Sequence, residues 1–313
     1  MLKLVILIIY FAVLIGIGLY CRKHATDVNG FVLGGRSVGP WLTAFAYGTS
    51  YFSAVVFVGY AGQFGWRYGI AATWAGIGNA IIGSLLAWVV LGRRTRIMSQ
   101  HLDSATMPQY FGKRFGSNPL KIGASVIIFI FLIPYTASLY NGLSRLFGMA
   151  FNIDYSVCII IMATLTAIYV IAGGYMATAI NDFIQGIIML FGIVAVIAAV
   201  IHSKGGFMSA LQGLANVSDP AVSDTPGIFA SFFGPDPFNL LCVVILTSLG
   251  TWGLPQMVQK FYAIDNEASI QKGTVISTIF ALIVSGGCYF LGGFGRLFSD
   301  QIDVKANGFD SII

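Results

Sequence analysis

The chain has 313 residues, of which 57% are hydrophobic and only 9% charged, and its mean hydropathy is +0.83. Soluble domains carry roughly 25% charged residues, so a water-facing surface cannot be clothed here and a membrane-embedded, all-α fold is expected. The net charge of +5 is spread over loops between apolar runs without forming a patch, which argues against nucleic acid as a partner.

A spanning helix needs about 20 mostly apolar residues. The first such run, 3–21, is followed by no A-x-A-like cleavage site and reads as an uncleaved helix. The second, 40–66, is PWLTAFAYGTSYFSAVVFVGYAGQFGW, and its middle, Gly48 to Ser53, is small and hydroxyl-rich. Two readings fit that composition. Either the helix unwinds and frees carbonyls that protein, water or a cation must satisfy, or small residues make a close helix interface.

Further spans are expected at 69–92, 121–148, 155–173, 177–202, 238–259 and 270–296, giving eight. Trp41, Trp66, Tyr68 and Trp88 mark several ends, as interfacial aromatics do. Between spans, 93–120 predicts a short amphipathic helix after Thr106 with Pro108 in its first turn. The stretch 203–237, rich in Gly, Pro, Ser and Asp, reads as a solvated connector or a gate. Gly173-Gly174 and Asn181 predict a short cytoplasmic turn, with Asp182 about one turn into the next helix. An intramembrane carboxylate costs about 2.5–3.5 kcal/mol at mid-bilayer. Asp182 is therefore either an ion or partner ligand or a capping residue near the surface, and Gln185 could share either role. In 238–259, Gly250, Gly253 and Pro255 interrupt the helix. Two interrupted spans, each opening a new group of helices, point to a midplane binding site in an inverted-repeat transporter.

Eleven of the 17 Lys and Arg residues fall in loops after odd-numbered spans, Lys260 among them, and six, including Lys305, fall in the others. The positive-inside rule makes the first set cytoplasmic and puts the N-terminus outside. Cys21, Cys158, Cys242 and Cys288 have unrelated spacings that suggest neither disulfides nor zinc. The sequence shows no phosphate loop, paired-histidine metal motif or nucleophile–base pattern, so neither an enzyme nor a cofactor is expected.

Several motifs resemble one family. Gly173-Gly174-Tyr175-Met176-Ala177 with Asp182-Phe183-Ile184-Gln185 is similar to the G-G-x-x-A…D-x-I-Q signature of the sodium:solute symporters, which include sodium/proline, sodium/glucose and sodium/sialic acid carriers; Tyr175 departs from the Leu, Met or Phe usual there. Phe31-Val32-Leu33-Gly34-Gly35-Arg36, Ser53 with Gly59 and Gly62, Met107-Pro108-Gln109-Tyr110 with Arg114-Phe115, and Gly253-Leu254-Pro255-Gln256 with Lys260-Phe261 and Ala263 extend the resemblance over essentially the whole chain.

The resemblance implies a single transmembrane transporter domain over 1–313, built on two inverted five-helix repeats. Here 3–21 is an extra first helix, 40–202 the first repeat, and 238–296 the first two helices of the second. It implies carbonyls of Thr49 and Phe52 as ligands of the main sodium ion and Asp182 near a second sodium position. It sets Ser53 beside the substrate and Ser248, Thr251 and Trp252 in the substrate cavity. Asn79, Tyr135 and Ser138 are weaker cavity candidates, argued from polarity within apolar helices. Because the family core has ten helices and this chain reaches only its seventh, the sequence is expected to represent part of a longer protein. The implied function is sodium-coupled uptake of a small organic solute by alternating access across the plasma membrane, with Na+ as the coupling ion. Candidate solutes are an amino acid such as proline, a sugar, a carboxylate or a vitamin, and the Pro255-Gln256 pair is similar to proline-type carriers. The alternative is a solute sensor on the same fold.

Overall fold

A computed structural model describes residues 2–53, 55–151 and 153–300; Lys305 lies outside them. Among the described residues the architecture is helical: α1 (Leu2–Cys21), α2 (Val28–Leu33), α3 (Pro40–Tyr51), α4 (Ala61–Tyr68), α5 (Thr73–Gly78), α6 (Arg93–His101), α7 (Met107–Phe115), α8 (Asn118–Phe151), α9 (Tyr155–Ser203), α10 (Phe207–Ala215), α11 (Pro237–Leu249), α12 (Pro255–Ala263) and α13 (Glu267–Gly293). Wide π-helical turns at Val55–Tyr60, Asn79–Leu86 and Trp88–Gly92 join the pieces between α3 and α6.

Four described helices are long and apolar enough to cross a bilayer, or five if the broken pair around Leu254 counts as one span. The described spans number fewer than eight because helical geometry runs through some expected turns and the apolar stretch Val5–Cys21 is shorter than a span. The 49 residues of α9 would rise about 74 Å as one straight helix, more than twice the roughly 30 Å of hydrocarbon. Gly174 divides it, with φ 57° and ψ −149°, so the expected Gly-Gly turn is compressed into a single left-handed residue. A Cβ at Gly174 would lie 2.8 Å from the Phe31 carbonyl oxygen, so both the dihedral and the space require glycine. Asp182 accordingly lies eight residues beyond the break, a little over two turns into the second half rather than one. At Gly69, φ is 63°, which ends α4 where the sequence places the boundary between its second and third spans.

The chain divides into two compact units. The first comprises Met1–Tyr51, Ala87–Gly186 and Gly253–Ser277. Its core gathers Leu33, Val38, Ala105, Tyr175, Ala179, Val258, Tyr262 and Ala263. Gly34, Gly35 and Arg36 take positive φ in succession, which aims the Arg36 guanidinium at backbone. It donates to the carbonyls of Ser104 at 2.8 Å, Ser99 at 3.3 Å and Tyr262 at 3.4 Å, and to Ser99 Oγ at 3.3 Å. Arg96, which is buried, donates to the carbonyls of Ile264 at 2.6 Å and Asp265 at 2.9 Å. Between them the Val38 N–H donates to the Ala263 carbonyl at 3.2 Å, and the Asp265 N–H donates to the Val38 carbonyl at 3.0 Å. Two forked cations thus donate to carbonyls at and just beyond the ends of α6 and α12. The helix expected after Thr106 is α7: the Thr106 hydroxyl accepts from the Gln109 N–H at 3.4 Å, and Gly116, at φ 60°, ends it.

The second unit comprises Phe52–Leu86, Ile187–Trp252 and Thr278–Ile313. Its helices meet through glycine. A Cβ at Gly65 would sit 2.0 Å from the carbonyl carbon of Gly292, and one at Gly76 would sit 2.6 Å from the Cα of Gly286. Backbones approach this closely only where no side chain intervenes. The stretch 203–237 is more structured than a solvated connector: α10 buries Ala210 and Leu214 against Phe229 and Phe294. Arg296 pairs with Asp219 at 2.9 Å and stacks 3.8 Å above the Phe229 ring. Apolar residues at helical spacing within 207–214 drive that packing, which the Gly and Pro content of the whole stretch conceals.

Candidate functional site

The first interruption falls between α3 and the wide turns that follow. Gly48 to Tyr51 remain helical, and the chain leaves the helix at Phe52 and Ser53, a few residues later than the small-residue run suggests. Thr49 stays helical with its hydroxyl donating to the Phe45 carbonyl one turn back, at 2.9 Å, a bond that absorbs a polar side chain within a helix. The Ser53 carbonyl accepts from Val56 N–H at 3.0 Å and Phe57 N–H at 3.1 Å, restarting the helix. Phe52 is buried and Ser53 half-buried.

The second interruption follows α11. Gly250–Gly253 tighten into a 3-10 turn. Leu254 is extended, with φ −69° and ψ 126°, as the residue before proline prefers, and Pro255 occupies the first turn of α12. Gly250, Gly253 and Pro255 therefore break the helix as their sequence suggests. Both interruptions coincide with unit boundaries, at Tyr51/Phe52 and Trp252/Gly253.

Within the second unit the structure brings Asn79 and Ser248 together. Asn79 Oδ1 accepts from Ser248 Oγ at 3.1 Å and from Thr247 Oγ1 at 3.0 Å, while Asn79 Nδ2 reaches Ser285 Oγ at 3.5 Å. One amide thus ties the turn after α5 to α11 and α13. Thr251 donates to the Ser248 carbonyl at 3.0 Å, and the Trp252 indole N–H donates to the Ile82 carbonyl at 3.0 Å. Trp252 is thereby oriented by a protein acceptor, as buried indoles generally are. A neighbouring cavity of about 470 Å³ is lined by Trp74, Ile77, Ile81, Leu240, Leu241 and Val244 among others, and no candidate solute residue lines it. Tyr135 and Ser138 belong to the first unit, on α8, where the exposed Ser138 spends its hydroxyl on the Tyr135 carbonyl at 2.7 Å.

Within the first unit, Asp182 meets a residue that charge counting places elsewhere. The Asp182 carboxylate lies 3.8 Å from the Lys260 ammonium. Lys260 was counted with the cytoplasmic loop cations. It is in fact only 6% exposed, on the packed face of α12 beside Met257, Val258 and Phe261, with its ammonium 5.0 Å from the Tyr175 ring centroid. Counting charges by loop cannot detect this, because only the fold turns that face inward. At an effective dielectric near 20, two unit charges at this separation attract by about 4 kcal/mol, and each would be costly to bury alone. Nearby in sequence, the buried side-chain amides of Asn181 and Gln256 make no hydrogen bond to protein among the described residues.

Known proteins resemble this chain over most of its length. The family model described as the sodium:solute symporter family matches residues 31–302. The chain is 29% identical over 299 residues to the osmoregulated proline transporter OpuE of Bacillus subtilis, covering 95% of this chain and 59% of that protein. It is 30% identical over 315 residues to the sodium/proline symporter of Staphylococcus aureus strain JH9, covering 96% of this chain and 57% of that one. The chain therefore spans a little over half the length of these relatives. Its fold matches a solved structure of a Na+-coupled sialic acid symporter in a substrate-bound outward-open state, with a TM-score of 0.73 at 16% identity, over 100% of this chain and 65% of that one. Helices of spanning length, and a family match that begins at Phe31 and runs through the last described helix, lead to one assignment: this multi-pass membrane chain belongs to the sodium:solute symporter family.

Proposed function

We propose that the protein contributes to sodium-coupled uptake of a small organic solute by alternating access, with an amino acid such as proline as the leading candidate. The observation that carries this reading is the pair of interrupted helices, at Phe52–Ser53 and Gly250–Leu254, within a chain of this family. Interrupted spans carry backbone carbonyls outside the regular helix ladder, and such oxygen ligands suit a small hard cation. In this reading the carbonyls of Thr49 and Phe52 bind the main sodium ion. Ser53, Ser248, Thr251 and Trp252 meet the solute, with Asn79 holding Ser248 in place and Tyr135 and Ser138 as outlying candidates. The proline lean draws on the sodium/proline symporters among the relatives and on Pro255-Gln256. The N-terminus faces outward, in line with the cation bias of the loops.

One sodium ion moving inward through 100 mV releases about 2.3 kcal/mol, and a tenfold sodium gradient adds about 1.4 kcal/mol. Together they would support several-hundred-fold accumulation of a neutral solute. The test is uptake of radiolabelled proline and a panel of other solutes into proteoliposomes, under an inward sodium gradient and under potassium alone. Accumulation under sodium only is expected. Uptake indifferent to sodium would refute the coupling, and solute binding without uptake would favour a sensor.

A further inference from the structure

Asp182 and Lys260 form an intramembrane ion pair that the proposed transport cycle does not use. The carboxylate lies on the second half of α9, just over two turns past Gly174, and the ammonium on the buried face of α12. Their 3.8 Å separation exceeds the 2.7–3.2 Å of an N–H···O hydrogen bond. The pair faces across that gap without the tight fork that an arginine would make. The Tyr175 ring supports the ammonium from a second direction, at 5.0 Å. The α12 backbone that carries it is anchored by Gln259, whose Nε2 donates to the Val32 carbonyl at 2.6 Å, and by Val258 and Tyr262 in the unit's core. The lysine is thus delivered to the carboxylate by a packed helix, not by a free side chain sweeping through solvent.

An intramembrane carboxylate recruits a cation, and here the protein supplies one. A sodium ion at the same oxygens would stand a few ångströms from a fixed positive charge, with little water between them to screen the repulsion. We propose that Lys260 is a tethered cation occupying Asp182, so that this carboxylate takes no sodium ion unless the ammonium is displaced. The inference rests on the sodium-coupled reading for its biological meaning. It replaces the second sodium ligand expected at Asp182 with a built-in charge, and it makes Lys260 the residue that limits how many ions the protein binds.

Direct binding of radiolabelled sodium to the purified protein in proteoliposomes tests this without requiring transport. Lys260→Gln is expected to bind one sodium ion more per chain than the unmodified protein. That extra ion should disappear in the double variant Lys260→Gln/Asp182→Asn, while Lys260→Arg should match the unmodified protein. An unchanged count in folded Lys260→Gln would overturn the proposal. Should Lys260→Gln fail to fold, Asp182→Asn decides: an unchanged sodium count supports the tethered cation, and the loss of one ion refutes it. These counts are independent of uptake. Absence of sodium-driven accumulation together with the expected counts would refute the transport reading and leave Lys260 at Asp182.

Discussion

Replacing Gly65 with alanine sets helix propensity against packing within a single methyl group. In a helix interior, alanine is favoured over glycine by about 1 kcal/mol, so propensity alone predicts stabilisation. The added Cβ, however, would lie 2.0 Å from the carbonyl carbon of Gly292 and 2.1 Å from its oxygen, where ordinary contact begins at 3.4 Å. The obstruction is backbone, so no rotamer change relieves it, and the helices must separate. Overpacking typically costs 1–3 kcal/mol, and the upper end applies here. The net expectation is a loss of about 2 kcal/mol. At about 2 °C per kcal/mol for a chain of this size, the detergent-purified protein should melt at least about 4 °C lower. The matched control is Gly123→Ala in α8, where an added Cβ meets nothing within 4 Å; it should be neutral or raise the melting temperature by about 2 °C. A Gly65→Ala protein melting at or above the unmodified one would refute the close-packed interface between α4 and α13.

Three further substitutions test other joints. Asn79→Ala removes the acceptor of Thr247 and Ser248. Because intramembrane hydrogen bonds average only about 0.6 kcal/mol and Thr247 retains the Val243 carbonyl as an alternative acceptor, a loss of about 1–2 kcal/mol is expected in thermal melts. Arg36→Lys keeps the charge but cannot reach the Ser99, Ser104 and Tyr262 carbonyls together, so a loss of about 2–3 kcal/mol and faster proteolysis near 99–105 are expected. Arg93→Ala removes a 2.6 Å pair with Glu267 in which both side chains are at least half exposed. A change of no more than about 1 kcal/mol, shrinking further at high salt, is expected from melts at two ionic strengths.

How much was legible in the sequence differed by feature. The membrane class, the interruption at Pro255, the capped helix after Thr106 and the boundary at Gly69 were all readable, because each follows from local chemistry: hydropathy, a missing N–H, a hydroxyl acceptor, or a residue without Cβ. The first interruption was readable only approximately. Small residues from Gly48 to Ser53 weaken a helix, but Thr49 can bond its own backbone and keep the helix intact to Tyr51. The order within 203–237 was missed, since Ala210 and Leu214 count as a core only when Phe229 and Phe294 arrive from elsewhere in the chain.

The amino-acid sequence by itself determined that this chain lives in a membrane, is built of helices, resembles sodium:solute symporters and leaves helix at Pro255. Those properties depend on composition and on neighbours within a turn or two. Only the tertiary structure decided that Asn79 holds Ser248, that Arg36 and Arg96 tie off helix ends, and that Lys260 is buried against Asp182. Each of those pairings joins distant stretches of chain. The energy of a buried charge or amide is set by what the fold brings to it, and local sequence carries no record of that partner.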